Sequence, residues 1–221
     1  MIFPKLAWRQ ALKTLLIIKP GSFGDVIHAL PCAAALKDYF PKVKITWLVD
    51  ARWQQLVADN PVIDRTVVFP RQGFRGIFGK IRSVPWALRL RRIRPEVALD
   101  LQGLLRSALM ARLSHARRVV GMSDAREGAS WFYHEAAPVD EDEHAVRRYL
   151  RTLERFGIPK IDKPVFPLPP GAPVKTRLPN QRWIVLHPFA RGEGKSLTPE
   201  QIVEFCHSAR PLTVVVAGVG A

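Results

Sequence analysis

The stretch Leu15-Leu16-Ile17-Ile18-Lys19-Pro20-Gly21-Ser22-Phe23-Gly24-Asp25-Val26 constrains the fold more than any other part of the chain. Leu15 to Ile18 is a continuous apolar run, the pattern of a strand buried on both faces of a parallel sheet. Pro20-Gly21-Ser22 breaks it, and Gly24 permits a tight turn with close approach of a ligand. From Asp25 onward, Val26, Leu30 and Ala33 or Ala34 recur at helical spacing. A strand, a glycine turn and a helix N-terminus form the first half of a βαβ unit. Ligands of such sheets collect at the carboxyl ends of the strands, which is where Asp25 falls. A first-turn carboxylate is favoured there by the helix dipole alone, by under about 1 kcal/mol when exposed. The spacing G-x-x-G-D also differs from the dinucleotide fingerprint G-x-G-x-x-G. On local chemistry Asp25 is either a helix-start residue or a reactive carboxylate.

The alternation continues. Lys44 to Asp50 reads as a second strand, Arg52 to Ala58 as a short helix stopped by Asn60-Pro61, and Arg65 to Phe69 as a third strand. Residues 71–80 hold three glycines among charges and aromatics and read as a mobile loop. Ser83 to Ile93 is expected to be a helix, Glu96 to Leu101 a strand, Leu104 to Leu113 a helix and Arg117 to Gly121 a fifth strand. Glu143 to Phe156 is expected to be an amphipathic helix, with Val146, Leu150 and Leu153 on one face and Gly157 ending it. Such alternation implies a doubly wound parallel sheet.

Residues 158–181 change character, with seven prolines in twenty-four positions, and read as a semi-rigid linker. Beyond them Trp183 to His187 and Leu212 to Ala217 read as strands. Between these, Thr198-Pro199-Glu200-Gln201 carries a capping-box pattern opening a helix to about Ala209. The expected organisation is a first domain over 1–157, the linker over 158–181 and an incomplete second domain over 182–221. One βαβ unit rarely makes a core large enough to stand alone.

Charge narrows the partners. The formal net charge is +15, and between Arg71 and Arg118 twelve basic side chains face two acidic ones, Glu96 and Asp100. That excess calls for an anionic partner: nucleic acid, a membrane surface or an acidic substrate. No recognised nucleic-acid motif is present. No apolar run approaches the ~20 residues that span a bilayer, and residues 1–14 lack the apolar core and cleavage site of a signal peptide. Cys32 and Cys206 are far apart and without ligand spacing, which fits a reducing cytoplasm. Asp140-Glu141-Asp142 has a D-x-D spacing, but it precedes a helix where acids suit the dipole, and no partner ligand stands near it in sequence. Gly194-Lys195-Ser196 imitates the end of a phosphate-binding P-loop, yet Phe189 stands where its first Gly belongs. No metal and no cofactor are expected.

The motif from Lys19 to Pro31 resembles the opening of the ADP-heptose:lipopolysaccharide heptosyltransferases, specifically the type I enzymes. Leu99-Asp100-Leu101-Gln102-Gly103-Leu104-Leu105-Arg106-Ser107 is similar to that family's D-x-Q-G-x-x-[KR]-S element. Ala125-Arg126-Glu127-Gly128-Ala129-Ser130-Trp131-Phe132-Tyr133 is similar to its A-R-E-x-x-A-S-x-F-Y element, and His144-Ala145-Val146 to its H-A-V. The resemblance runs in order over roughly residues 14–200. It implies a GT-B-like α/β fold: a complete N-terminal Rossmann-like parallel-sheet domain, followed by the first βαβ unit of a second.

It also implies a chemistry. Asp25 would be the general base of an inverting sugar transfer, removing the proton from an acceptor hydroxyl. The acceptor would be of Kdo-lipid A type, whose carboxylates and phosphates suit Arg and Lys. Ser22, Gly24, Gln102, Arg106 and Arg126 are the acceptor-binding candidates, with Arg71, Arg75 and Lys80 on the expected loop. Lys195, Arg191, Gly194 and Thr198 would hold the diphosphate of ADP-heptose, helped by the helix N-terminus. The H-x-x-x-R-x-x-x-K spacing from His187 to Lys195 is one position longer than the family's commoner form.

Peripheral attachment to the cytoplasmic face of the inner membrane, an anionic surface, is expected. In that picture Phe3, Trp8 and Leu12 insert and Lys5, Arg9 and Lys13 meet headgroups. No nucleic-acid partner is expected, and a full-length form should be a monomer. The resemblance further implies that the second domain continues past Val219-Gly220 for about another hundred residues, carrying D-T-G-x-x-H-x-x-A. These 221 residues would then bind acceptor with little transfer of their own. A non-catalytic acceptor-binding fragment and a basic nucleic-acid-binding protein stay open as alternatives.

Overall fold

The computed structural model describes residues 12–74, 76–171, 173, 177–190 and 194–218, without the side chains of 72, 74 and 76–82. The chain divides into two compact units, 1–170 and 171–221.

The first unit is built on a six-stranded parallel sheet. Its strands are β1 (Thr14–Ile18), β2 (Lys44–Asp50), β3 (Arg65–Phe69), β4 (Val97–Asp100), β5 (Arg118–Met122) and β6 (Glu135–Ala137). They lie in the order β3-β2-β1-β4-β5-β6, every pairing parallel. The winding reverses between β1 and β4, which opens a crevice at their carboxyl ends. Helix α1 (Phe23–Tyr39) follows β1, α2 (Gly76–Arg91) follows β3, α3 (Leu105–Leu113) follows β4, and α4 (Ala145–Arg151) packs on α1.

The apolar run of β1 has a direct explanation in this arrangement. Leu15 and Ile17 enter the core under α1 and α4, together with Val26, Leu30, Trp47, Val146 and Leu150. Leu16 and Ile18 enter the opposite core with Leu48, Phe69, Leu90, Met110 and Val119. Successive side chains of a strand point to opposite faces, so a strand covered on both sides has no polar positions to spare.

Three expectations need correction. Residues 71–80 are not a mobile loop: a 3-10 turn covers Arg71–Phe74 and α2 begins at Gly76. Ile77, Ile81, Val84 and Leu88 extend the helical period upstream, and glycine weakens a helix by about 1 kcal/mol without breaking it. The segment after β2 is a 3-10 turn, Ala51–Leu56, rather than an α-helix. The helix expected over Glu143–Phe156 is α4 followed by a 3-10 turn, Thr152–Phe156, ended by Gly157 at φ 77°. Thr152 Oγ1 donates to the Tyr149 carbonyl at 2.6 Å and tightens the chain at that point. Strand β6 and the 3-10 turn Ala129–Phe132 had no sequence signal; Glu-Ala-Ala becomes a strand through its pairing with β5.

The second unit holds β7 (Trp183–Leu186), α5 (Pro199–Ser208) and β8 (Thr213–Val216), with β7 and β8 parallel. Thr198 caps α5 as the sequence predicts: its Oγ1 accepts from the Gln201 N–H at 3.3 Å, and Gln201 Oε1 accepts from the Thr198 N–H at 2.9 Å.

Candidate active site

Asp25 is the third residue of α1, at the carboxyl end of β1. Its Oδ2 accepts two bonds from Ser22, one from the backbone N–H and one from Oγ–H, both at 2.9 Å. Its Oδ1 accepts a longer bond, 3.4 Å, from the Tyr149 hydroxyl on α4. Burial pushes the carboxyl up, but the Ser22 N–H, the Lys19 ammonium, the Ser22 hydroxyl and His28 outweigh it, so its pKa lies below the ordinary value. Asp25 is therefore ionised at neutral pH. Because Ser22 occupies Oδ2 with two donors, Oδ1 is the oxygen with spare accepting capacity.

Lys19 is buried at the end of β1. Its Nζ donates to the Leu101 carbonyl at 2.9 Å and lies 4.7 Å from the centroid of the Tyr149 ring. Burial lowers its pKa to about 8, against the opposing pull of Asp25 and Asp100. The lysine and the carboxylate thus share one residue, Tyr149, as a neighbour.

At the carboxyl end of β4, Asp100 is fully buried and organises the turn that follows. Its Oδ1 accepts from the Gln102 and Gly103 N–H groups at 2.9 and 3.2 Å. Its Oδ2 accepts from Ser107 Oγ–H and Tyr133 O–H, both at 2.8 Å. Burial raises the carboxyl above its ordinary value, against those four donors. Gly103 takes φ 69°, a conformation that favours glycine, and its carbonyl accepts from the Arg126 N–H at 2.8 Å. Asp100 thereby fixes Gln102 and, through Gly103, the backbone of Arg126.

Gln102, Gly103, Met122, Asp124, Arg126, Glu141 and Arg148 line a polar cleft of about 250 Å³. Arg148 pairs with the nearly buried Asp124 beneath it, and Arg148 also bears electrostatically on Lys19 and Tyr149. The cleft offers hydrogen-bond donors and an exposed guanidinium from Arg126, a set suited to a carboxylate or phosphate.

Among the other candidates, Gly24 lies in the first turn of α1. Arg106 leans over Phe69, 5.8 Å from the ring centroid, at the carboxyl end of β3. Arg71 bears on Asp50, which Arg52 holds through two bonds of 2.9 and 3.0 Å. Arg75 and Arg191 lie outside the described residues, as does the side chain of Lys80, whose backbone is in α2 rather than in a loop. Gly194, at φ 72°, and Lys195 form an exposed turn before the Thr198 cap. Of the N-terminal residues assigned to the membrane, Phe3, Lys5, Trp8 and Arg9 lie outside the described residues. Leu12 is buried in the core and so is not available to insert.

Sequence reading missed Lys19, Tyr149, Asp100, Asp124 and Arg148 as functional candidates. Lys19 and Asp100 had a signal: each is a charged residue closing an apolar strand. Tyr149 had none, since nothing in the sequence says that α4 packs on α1.

Comparison with known proteins gives the following similarities. Residues 86–210 match the model of glycosyltransferase family 9 (heptosyltransferase). The chain is 30% identical over 190 residues to lipopolysaccharide heptosyltransferase 1 of Pseudomonas aeruginosa, covering 78% of this chain and 54% of that protein. It is 30% identical over 141 residues to lipopolysaccharide heptosyltransferase 1 of Escherichia coli, covering 61% and 44%. The chain thus spans about half the length of these relatives. Among solved structures, the E. coli heptosyltransferase WaaC with ADP-2-deoxy-2-fluoro heptose aligns over 94% of this chain and 69% of its own, at a TM-score of 0.76 and 22% identity. E. coli ADP-heptose lps heptosyltransferase II aligns over 94% and 65%, at a TM-score of 0.70 and 16% identity. These two matches carry the GT-B-like fold.

Proposed function

Since the chain belongs to glycosyltransferase family 9, the heptosyltransferases, we propose that it serves the inverting transfer of heptose from ADP-heptose to the Kdo of the lipopolysaccharide inner core. The observation that supports this reading most is Asp25: an ionised carboxylate at the switch point of the sheet, with Oδ1 left able to accept a proton. In the proposed step Oδ1 takes the proton of an acceptor hydroxyl while that oxygen attacks the anomeric carbon. The bond from that carbon to the diphosphate oxygen breaks, and ADP leaves with the electron pair.

Gln102, Arg126 and the polar cleft around them are proposed to hold the acidic acceptor, with Ser22, Gly24, Arg71, Arg75, Lys80 and Arg106 as the remaining acceptor candidates. Lys195, Arg191, Gly194 and the Thr198-capped N-terminus of α5 are proposed to meet the diphosphate, where a lysine and backbone N–H groups stabilise the developing charge. Attachment to the cytoplasmic face of the inner membrane belongs to the same reading, because a lipid-linked acceptor sits in that surface. No helix among the described residues is long and apolar enough to cross a membrane.

Calorimetric titration tests the binding half of the proposal. A soluble Kdo-containing acceptor should bind the chain, and Arg126→Ala should weaken it about 10-fold or more, the loss of one charge-assisted contact. Equal affinity in parent and variant would move the acceptor elsewhere.

A further inference from the structure

Helices α2 and α3 pack side by side on the face of the sheet that carries the Leu16, Ile18 and Phe69 core, and the 3-10 turn Ala129–Phe132 packs on α3. Their inner sides are conventional: Ser107, Ala108, Met110 and Ala111 of α3 and Leu90 of α2 are buried. Their outer sides are not. On α3 the exposed positions are Leu105, Arg106, Leu109 and Arg112, of which Leu105, Leu109 and Arg112 are spaced by four and three. On α2, Val84 and Leu88 are exposed one turn apart, and Arg89, Arg91 and Arg92 follow them. Trp131, in the turn against α3, is 88% exposed.

Single exposed apolar side chains are ordinary, but five on three adjacent elements make a patch. No Asp or Glu occurs in α2, in α3 or in the Ala129–Phe132 turn. The patch is therefore apolar with a mainly basic rim, the exposed Glu127 at its edge accepting from the Leu105 N–H at 3.3 Å. Aliphatic and indole side chains beside arginines match the two layers of an anionic bilayer surface. The arginines meet lipid phosphates, and the apolar groups reach the boundary of headgroup and acyl chain. A nucleic acid would use the arginines but has no counterpart for Val84, Leu88, Leu105 and Leu109.

We propose that the outer face of α2, α3 and the Ala129–Phe132 turn docks on anionic membrane, with Trp131, Leu109, Leu105, Leu88 and Val84 entering and Arg89, Arg91, Arg92 and Arg112 holding the headgroups. This deepens, and rests on, the proposed reading of a lipid-linked acceptor. It relocates the attachment from residues 1–13 to a folded surface. Helix α3 starts where the Gln102–Gly103 turn ends, so a bilayer against its outer side lies beside the acceptor cleft.

Co-sedimentation of the chain with vesicles tests it, using phosphatidylcholine alone and phosphatidylcholine with phosphatidylglycerol. Binding to the anionic vesicles only, screened by salt, is expected. Leu109→Asp combined with Trp131→Asp should weaken it at least 10-fold with the unfolding midpoint unchanged, because both positions are exposed. Arg89→Glu combined with Arg92→Glu should do the same, and removal of residues 1–11 should leave most binding in place. Undiminished binding by the aspartate variant, loss caused by the deletion alone, or no vesicle binding by the parent would each overturn the proposal. So would a concentration-dependent dimer abolished by Leu109→Asp, or an oligonucleotide that binds the parent and aspartate variant alike while displacing both from vesicles. No sugar chemistry enters the measurement. Failure of a Kdo-containing acceptor to bind the chain would sink the transfer reading while leaving the vesicle result intact.

Discussion

Tyr149 of α4 donates its hydroxyl to Oδ1 of Asp25 across 124 residues of sequence, while its ring lies 4.7 Å from the Lys19 ammonium. Lysine, phenol and carboxylate thus form one unit at the carboxyl end of β1. The phenol holds the carboxylate rotamer from the side opposite Ser22.

Tyr149→Phe keeps the packed ring and removes only that donor. Since the lost bond favours the ionised carboxylate, the Asp25 pKa should rise, read by NMR titration of carbon-13-labelled aspartate. In a form of the protein that transfers heptose, kcat should fall several-fold with KM for acceptor unchanged, because a positioning contact and not a binding contact is lost. A drop confined to KM would place Tyr149 in acceptor binding instead.

Lys19 gives a pH signature. Its folded pKa of about 8 lies below the ordinary 10.5, so between those values the unfolded chain holds the extra proton. Stability from this group must therefore rise as pH climbs from about 8 toward 10.5, where the cost of burying its charge is relieved. Urea unfolding of the parent relative to Lys19→Met across that window should show the parent gaining. A flat difference would mean the ammonium is better solvated than its burial suggests.

Asp100 accepts four hydrogen bonds while fully buried. Asp100→Ala leaves those donors without an acceptor and should destabilise the first unit by about 3 kcal/mol or more. Asp38→Ala, at an exposed position of α1, should stay within about 0.5 kcal/mol. Denaturant melts compare the two, and equal effects would show that water replaces the Asp100 network without cost.

Gly121 on β5 faces the Tyr133 ring so closely that a Cβ would collide with it. Gly121→Ala must displace the ring and with it the Tyr133–Asp100 bond. A loss of about 1–3 kcal/mol is expected. Full parental stability would mean that the ring moves without disturbing Asp100.

Much of this was legible beforehand, and the limits have physical reasons. β1, the turn and α1 could be read because a strand covered on both faces must be apolar throughout and glycines mark the break. The α5 cap was equally plain, since Thr198 and Gln201 bond locally. The Asp25–Tyr149 contact was not, because it depends on α4 packing against α1. Nor was Leu12 in the core, which reads locally as part of a basic amphipathic tail. The start of α2 is hidden in the sequence because the glycines at 76 and 79 suggest a loop, whereas its apolar period runs through them. β6 carries no strand-forming residues and exists through its neighbour alone.

The role of Asp25 is tested most directly by acceptor-dependent release of ADP from ADP-heptose, comparing parent and Asp25→Asn in a form of the protein that transfers heptose. Asparagine keeps the shape but cannot take the proton, so the rate should fall by roughly 10²–10⁴-fold with acceptor affinity little changed. A variant that releases ADP at the parental rate would contradict the assignment of Asp25 as the base and leave it a helix-start residue.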